Sequence, residues 1–591
     1  MQSRPSTQNG NGHANGHGQP WTGWISPPPA PSPGAAGAGL ERWAEEAAAP
    51  HPVHLVAGDG RSPLFLESAD PGTGRWQDAH LTDPAALDPG ALAFLVARGL
   101  LILPGAPGGE LRARLQGRLV VPRDLATRVG PIPVCFIVMG NHNAFDGTAE
   151  IQNFAGYDYL QQALADLGVA SCSVDTNLCN AFDLPIRSRA EMVLATMELV
   201  GRTAPAAIRP RLDFTRCGLV GHSRGGEAVV MAALLAADRS LPVDVRCVAS
   251  IAPTDFSSAF TGGAVGGRVP VPLRLDGARR YLVLHGAHDG DVANVRGNGF
   301  GLYDRATCPK TMIFARGLTH NRFNTVWNEC ADYADGRHVF VDDLTCRTRT
   351  GTFDERIFAA VVHREYASFY VGALVRRTLL GDASAEQVLV GVEAPTAARL
   401  RQSPGLQGPA ASIQWTVGDR VTVQEFEGAG PFPATGGRVE AAATGRATVP
   451  HATQAYVATA AGNRIRVEVP SGRRNVVGRR ELTFRLTSMI PVTSEAAIAR
   501  APLPDWEVRV ITGSGTRVAR ARDADRRGLR EPNRPFFHEV DGPLNVTKNA
   551  FDTVSIPLSA FGSTAWNDVQ AIEFEARGGA FPLIVDSIAF V

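Results

Sequence analysis

Residues 221–226 read Gly-His-Ser-Arg-Gly-Gly, the most informative stretch of the chain. The apolar run Cys217–Val220 precedes it, and a helical pattern from Glu227 to Ala237 follows it. This order predicts a strand, a tight turn that presents Ser223, and then a helix. A side chain two positions before or after the serine would clash in such a turn, which explains why both positions are glycine. The serine then lies at a helix N-terminus, where free N–H groups favour a developing negative charge.

The bulk composition is that of a globular protein with more than one domain. The chain has 591 residues, 44% of them hydrophobic, and this length predicts roughly two or three domains. The 58 basic and 58 acidic residues give a formal net charge of zero, which argues against a nucleic-acid-binding protein. No apolar run reaches the length of about 18 residues that a membrane span needs, so we expect none. The first residues lack the pattern of a secretory signal, and we therefore expect a cytoplasmic protein.

The central part of the chain alternates between strand and helix patterns. The predicted strands are Val134–Met139, Val169–Val174, Phe214–Val220, Val245–Ala252, Tyr281–His285 and Thr311–Ala315. The predicted helices are Tyr157–Leu167, Glu191–Val200, the helix after Ser223, and Phe358–Leu380. This alternation predicts an α/β fold with a mostly parallel sheet flanked by helices.

The C-terminal part has a different pattern, with short alternating strands separated by turn residues. Its clearest strands are Arg464–Val469, Glu481–Leu486, Val554–Leu558, Ala571–Glu575 and Ile584–Ile588. This pattern predicts an all-β sandwich similar to a jelly roll. The chain is therefore divided into a disordered segment at 1–40, an α/β domain with an N-terminal extension at 41–394, a linker at 395–413 and a β-sandwich at 414–591.

Partners that could activate Ser223 follow two later strands. A serine hydroxyl needs a base to take its proton and an acid to orient that base. His320 follows Thr311–Ala315 and is the predicted base, whereas His222, next to the serine, is expected to point away from the reactive face. Asp289, after Tyr281–Leu284, is the preferred acid; Asp291 in the same loop and Asp255 after the preceding strand remain alternatives.

Two backbone N–H groups are predicted to stabilise the oxyanion of a tetrahedral intermediate. One belongs to Arg224, which follows the serine. The other is assigned to Asn141 in the Gly/Asn-rich loop after Val134–Met139, with His142 as second choice. This chemistry requires no metal and no organic cofactor.

Several motifs, in this order along the chain, resemble the α/β-hydrolase superfamily. They are Gly156–Leu160, Asp175–Asn177, Gly221–Glu227, Ala252–Phe256, Asp289–Val292 and His320–Trp327. The resemblance covers roughly residues 112–380 and lies within the cluster that holds cutinase-like polyester hydrolases, dienelactone hydrolases and platelet-activating-factor acetylhydrolases. It is greatest to large bacterial hydrolases that also carry a C-terminal β-sandwich.

The resemblance implies a serine hydrolase that cleaves a small or polymeric carboxylic ester through an acyl-enzyme. Two alternatives remain open at this point. The same residues would serve an acyltransferase or thioesterase of a biosynthetic pathway. Alternatively, the C-terminal sandwich would bind a glycan or polymer, with Trp415, Trp506 and Trp566 stacking on sugars.

Overall fold

A computed structural model describes residues 112–391 and 411–591, apart from gaps at 148, 182–185, 256–272, 278, 287–288, 290, 293–298, 316, 328–359, 428–431, 442–463, 489–504, 521–549 and 578–581. Inside these gaps and before residue 112 it describes only isolated strands, given below, and helical residues at 93 and 96–97. The predicted disordered segment at 1–40 lies outside the described residues, as does the predicted linker up to residue 410.

The described strands that precede the predicted linker are β1 (Val53–Pro63), β2 (Phe65–Ala69), β3 (Trp76–His80), β4 (Leu101–Ile102), β5 (Arg112–Val120), β6 (Ile132–Val138), β7 (Phe145–Asp146), β8 (Ala149–Glu150), β9 (Ala170–Val174), β10 (Leu212–His222), β11 (Val245–Ile251), β12 (Arg280–Gly286), β13 (Lys310–Ala315), β14 (Tyr333–Ala334), β15 (Arg337–His338), β16 (Phe340–Asp342) and β17 (Arg347–Thr348). The described α-helices are α1 (Asp158–Asp166), α2 (Asn177–Ala181), α3 (Ile186–Thr203), α4 (Arg224–Asp238), α5 (Gly299–Arg305), α6 (Ala360–Thr378) and α7 (Glu386–Leu389).

A large mixed sheet organises the first region, in the order β1-β5-β9-β6-β10-β11-β12-β13-β18, with β4 on β5. The six strands from β9 to β13 in this order pair in parallel, whereas the pairings on either side, including those of β18 (Ala411–Thr416), are antiparallel. The predicted α/β sheet is therefore present as a mixed sheet whose six central strands are parallel. Every residue of β6 is buried, as expected for a strand covered on both faces.

Helices cover both faces of this sheet. Alternate residues of β6 belong to different apolar clusters, Val134 and Phe136 to one and Cys135 and Ile137 to the other. Helices α3 and α4 pack into the first cluster, and α1 and α6 pack into the second. This arrangement leaves the ends of the parallel strands as the place where loops and polar side chains meet.

The remaining strands are β18 (Ala411–Thr416), β19 (Val421–Gln424), β20 (Ala434–Thr435), β21 (Gly437–Ala441), β22 (Ala447–Thr448), β23 (Gln454–Ala458), β24 (Arg464–Glu468), β25 (Glu481–Ser488), β26 (Asp505–Thr512), β27 (Gly515–Arg520), β28 (Phe536–His538), β29 (Val546–Lys548), β30 (Asp552–Pro557), β31 (Val569–Arg577) and β32 (Leu583–Phe590). Two larger antiparallel sheets run β21-β23-β32-β25-β30, with β19 on β32, and β20-β24-β31-β26-β27. Val467 and Val508 from one sheet share an apolar core with Phe484 and Val585 from the other. The C-terminal region is thus a separate, β-rich body with its own core.

Strand β18 connects the two regions. It pairs with β13 at the edge of the first sheet, so the predicted boundary at residue 414 falls inside a strand of that sheet. On its other side, Ile413 N donates to Asp552 Oδ1 at 2.9 Å and Trp415 N donates to Thr553 Oγ1 at 2.9 Å. The C-terminal region therefore covers an edge of the first sheet that would otherwise present unpaired N–H groups. A local alternating pattern cannot distinguish such a strand from the first strand of a sandwich.

The three tryptophans considered for glycan binding differ in exposure. Trp415 and Trp506 are buried, and Trp506 packs edge-on against Phe484 with ring centroids 5.7 Å apart. Trp566 is partly buried against the core of the C-terminal region. Among the helices of the described residues, none has the length and apolarity to cross a membrane.

Candidate active site

Ser223 lies between the last residue of β10 and the first residue of α4. Its backbone is strained, with φ 56° and ψ −128°, a conformation that costs a non-glycine residue about 1–3 kcal/mol. The flanking glycines are needed because a Cβ on Gly221 would lie 2.1 Å from Gly225 O, and one on Gly225 would lie 2.4 Å from Val138 O. The predicted strand, tight turn and helix around the serine are therefore confirmed.

The parallel pairing brings the other predicted residues to the same edge of the sheet. Asn141 follows β6, Asp255 follows β11, Asp289 follows β12 and His320 follows β13. Because the carboxyl ends of parallel strands meet at one edge, these residues follow strand ends at the same edge of the sheet as the turn that holds Ser223.

Asp289 and His320 form a buried pair at this edge. His320 Nδ1 lies 2.9 Å from Asp289 Oδ2, and the two residues are 1% and 0% exposed. The other carboxylate oxygen of Asp289 accepts hydrogen bonds from the backbone N–H groups of Asp291 at 3.0 Å and Val292 at 2.7 Å. Burial alone would raise the pKa of Asp289, but the charge and hydrogen bond of His320 lower it well below its usual value. An ionised acid therefore orients the imidazole through its Nδ1.

The two alternative acids lie in different surroundings. Asp291 Oδ2 is 3.3 Å from Nε2 of His320, on the opposite side of the ring from Asp289, and its side chain is 29% exposed. Asp255 is buried and binds Arg305 through both oxygens, at 2.7 and 2.9 Å. The structure thus brings two of the three candidate acids to the histidine and pairs the third with an arginine.

The loop after β6 packs directly against Ser223. A Cβ on Gly140 would lie 2.4 Å from Ser223 Cβ and 2.9 Å from the Trp327 ring, so a side chain here would displace the serine or the tryptophan. The predicted oxyanion residues are immediate chain neighbours of this contact, since Asn141 follows Gly140 and Arg224 follows Ser223. The main-chain groups of both residues are therefore placed beside the serine.

His222 lies closer to the site than the sequence analysis expected. Its ring centroid is 5.0 Å from that of His320 and 4.8 Å from that of Trp327. Its Nδ1 lies 2.9 Å from the hydroxyl of Tyr157. Burial, followed by the neighbouring charge of His320, lowers the pKa of His222 well below its usual value, so this ring stays neutral. The ring of His222 therefore packs between Tyr157, His320 and Trp327.

Several supporting residues were missed by the sequence analysis. Trp327 stacks on His142, with ring centroids 5.2 Å apart and an interplanar angle of 9°, and its Nε1 donates to Asn153 Oδ1 at 2.9 Å. Burial lowers the pKa of His142 to about 4, so its ring is also neutral. Trp327 belongs to the segment His320–Trp327 that carried part of the family resemblance, and this was the available signal.

Two buried side chains, Arg189 and His363, hold loops of the candidate site in place through hydrogen bonds. Arg189 donates to Met139 O at 3.1 Å and to the hydroxyl of Thr176, which fixes the loop after β6. His363 on α6 accepts a hydrogen bond from Thr319 N at 2.8 Å, which fixes the residue before His320. Neither contact was suggested by local patterns, because both join segments that are distant in the chain.

Comparisons with protein-family models and with curated proteins find no match for this chain. Within the described residues, no three His, Cys, Asp or Glu side chains converge as a group that could hold a metal ion. The sheet edge thus combines a serine with a strained backbone, neutral rings of His222, His142 and Trp327, and a histidine that is oriented by a buried carboxylate.

Proposed function

We propose that this protein is a serine carboxylic-ester hydrolase with an α/β-hydrolase fold, followed by a jelly-roll-like sandwich. One arrangement carries the proposal: His320, hydrogen-bonded through Nδ1 to the ionised Asp289, lies at the same sheet edge as the strained turn that holds Ser223. The order Ser, Asp, His along the chain, with each residue after a strand of a parallel sheet, supports the same assignment.

The proposed reaction has two stages. Ser223 Oγ attacks the ester carbonyl carbon while His320 Nε2 takes the hydroxyl proton, and the carbonyl becomes a tetrahedral oxyanion. When the carbon–oxygen bond to the alcohol breaks, His320 gives this proton to the leaving alcohol and the acyl group remains on Ser223. Water then attacks the acyl-enzyme with His320 again as the base, which releases the acid and restores the serine.

The surroundings of the triad favour this charge redistribution. Asp289 stabilises the imidazolium that forms on His320, because its carboxylate is already ionised and positioned by two backbone N–H groups. We assign the oxyanion to the backbone N–H groups of Arg224 and Asn141, next to the contact between Ser223 and Gly140. Loss of one such donor typically costs about 10²–10³ in kcat.

The test uses the full chain with p-nitrophenyl butyrate as substrate and a fluorophosphonate as covalent label. We expect hydrolysis that falls by about 10⁶-fold in Ser223→Ala, which is the scale of loss for a triad nucleophile. Peptide mapping should find the label on Ser223. The matched control is Ser559→Ala, an exposed serine of the C-terminal region, which should retain both activity and labelling.

Undiminished hydrolysis in Ser223→Ala, or label on another serine, would overturn the proposal. Adding an acceptor alcohol and identifying products by mass spectrometry distinguishes hydrolysis from acyl transfer by the same residues.

A further inference from the structure

Asp291 is a charged side chain whose position is fixed by the triad acid itself. Its backbone N–H donates to Asp289 Oδ1 at 3.0 Å, as does the N–H of Val292 at 2.7 Å. The loop is thus folded around the Asp289 carboxylate, and this fold directs the Asp291 side chain to His320. The proposed mechanism assigns no role to this residue.

The contact that Asp291 makes is with the reactive nitrogen of His320. Oδ2 of Asp291 lies 3.3 Å from Nε2, whereas Asp289 binds Nδ1. In the proposed reaction Nε2 passes its proton to the leaving alcohol, so that alcohol oxygen must come within hydrogen-bond distance of Nε2. The first atoms of the alcohol are then roughly 6 Å or less from the Asp291 carboxylate, as two successive contacts of about 3 Å allow.

The Asp291 side chain is also the most accessible of the three side chains in this group. It is 29% exposed, whereas the side chains of His320 and Asp289 are 1% and 0% exposed. A carboxylate that reaches solvent and contacts Nε2 can interact with the alcohol portion of an ester that binds at this nitrogen.

We propose that Asp291 is a specificity-determining residue that selects esters by the charge of their alcohol portion. Esters of cationic alcohols are favoured over neutral ones, and esters of anionic alcohols are disfavoured. This inference rests on the proposed ester-hydrolase function. The charged centre of such an alcohol lies a few bonds beyond its oxygen, roughly 10 Å or less from the Asp291 carboxylate. Near a protein surface, a unit charge at this distance changes the interaction energy enough to give about tenfold discrimination after partial screening by solvent.

The test compares three butyrate esters with alcohols of similar size: choline butyrate, its uncharged analogue 3,3-dimethylbutyl butyrate, and 3-sulfopropyl butyrate. Acid release is followed by pH-stat titration at low ionic strength. For the unaltered protein we expect kcat/KM to fall about tenfold from cationic to neutral and again from neutral to anionic. Both ratios should shrink at 0.5 M salt, because the carboxylate is partly exposed.

Two substitutions separate charge from shape. Asp291→Asn should bring both ratios close to one, whereas Asp291→Glu should retain them. The ratios are compared within each variant, so a change in overall rate does not affect the interpretation. Asp238→Asn removes an exposed charge at the far end of α4 and should leave the ratios as in the unaltered protein.

The outcomes distinguish the two proposals. If neutral ester is hydrolysed in a Ser223-dependent manner but the ratios are near one, or unchanged by Asp291→Asn, the assignment of Asp291 is wrong and the proposed function stands. If none of the three esters, nor p-nitrophenyl butyrate, is hydrolysed, the proposed function itself is wrong.

Discussion

Asp289 at the candidate active site and Asp586 on β32 are both 0% exposed, yet their pKa values move in opposite directions. The charge and hydrogen bond of His320 overcome burial and lower the pKa of Asp289. For Asp586, burial dominates over the charge of Arg485 and raises the pKa to about 6. Three hydrogen-bond donors reach the oxygens of Asp289, whereas Oδ1 of Asp586 has no hydrogen-bond partner among the described residues. A buried acid thus keeps its charge where donors saturate both of its oxygens.

Asp586 belongs to a charged cluster that joins the two regions. The Arg485 side chain, on β25, contacts Asp586, Asp304 on α5 at 2.7 Å and Gln414 on β18 at 3.3 Å. Lys310 lies at the start of β13 and donates to three main-chain oxygens, and burial lowers its pKa to about 8. At the candidate active site a buried carboxylate orients one imidazole ring, whereas at the junction buried carboxylates hold a shared cation.

The largest effect is expected from substitution of Asp289, the buried acid that contacts His320. Asp289→Asn keeps the size of the side chain but removes the charge that holds His320 in its reactive tautomer. We expect kcat for p-nitrophenyl butyrate to fall by about 10⁴-fold, as for the equivalent change in serine proteases. Asp291→Asn should cause a much smaller loss. If their order were reversed, Asp291 and not Asp289 would orient His320, and equal losses would show that Asp289 alone does not perform this role.

The next largest effect is expected from substitution of Arg485, which should disrupt the charged cluster that joins the two regions. Arg485→Met keeps an unbranched apolar stem but removes the guanidinium, which leaves Asp304 and Asp586 buried without their shared cation. Removing one partner of a buried pair typically costs about 3–5 kcal/mol of unfolding free energy. The measurement is the urea unfolding midpoint followed by tryptophan fluorescence.

The matched control for the junction is the exposed pair of Arg479 and Asp419. Arg479→Met should cost no more than about 1 kcal/mol, because the carboxylate of Asp419 is 89% exposed. Equal stability of the two variants would show that the buried cluster does not hold the regions together.

Sequence patterns predicted the positions of Ser223 and His320 in the fold, because local order and strand ends determine them. Each follows an apolar strand of the parallel part of the sheet, and the glycines around Ser223 are required by close backbone contacts. Patterns could not choose between Asp289 and Asp291, since both follow β12 and are two residues apart. That choice depends on which oxygen the loop N–H groups and His320 reach, which is a tertiary property.

The junction was not predictable because its partners are far apart in the chain. The Arg485 side chain contacts Asp304, Gln414 and Asp586, and no local sequence pattern relates these positions. The sequence-based boundary at residue 414 divided strand β18 between the predicted linker and the predicted sandwich. Its alternation of apolar and polar residues fits a strand of either sheet. Its true partner, β13, is about 100 residues earlier, and only the unpaired edge of the first sheet accounts for the pairing.

The smallest expected effect is a pH dependence of the unfolding free energy that comes from Asp586. Burial raises the pKa of Asp586 to about 6 in the folded protein, whereas an aspartate in the unfolded chain has a pKa of about 3.9. Between these two pH values, the folded protein binds more protons at this group than the unfolded protein does. The unfolding free energy therefore falls as pH rises through this window, by about 3 kcal/mol from this group. Asp586→Asn mimics the protonated acid and should gain stability relative to the unaltered protein when urea midpoints at pH 7.5 are compared with those at pH 4. If Asp586→Asn differed from the unaltered protein by the same amount at both pH values, Asp586 would be held as firmly charged as Asp289, and the contrast between the two sites would fail.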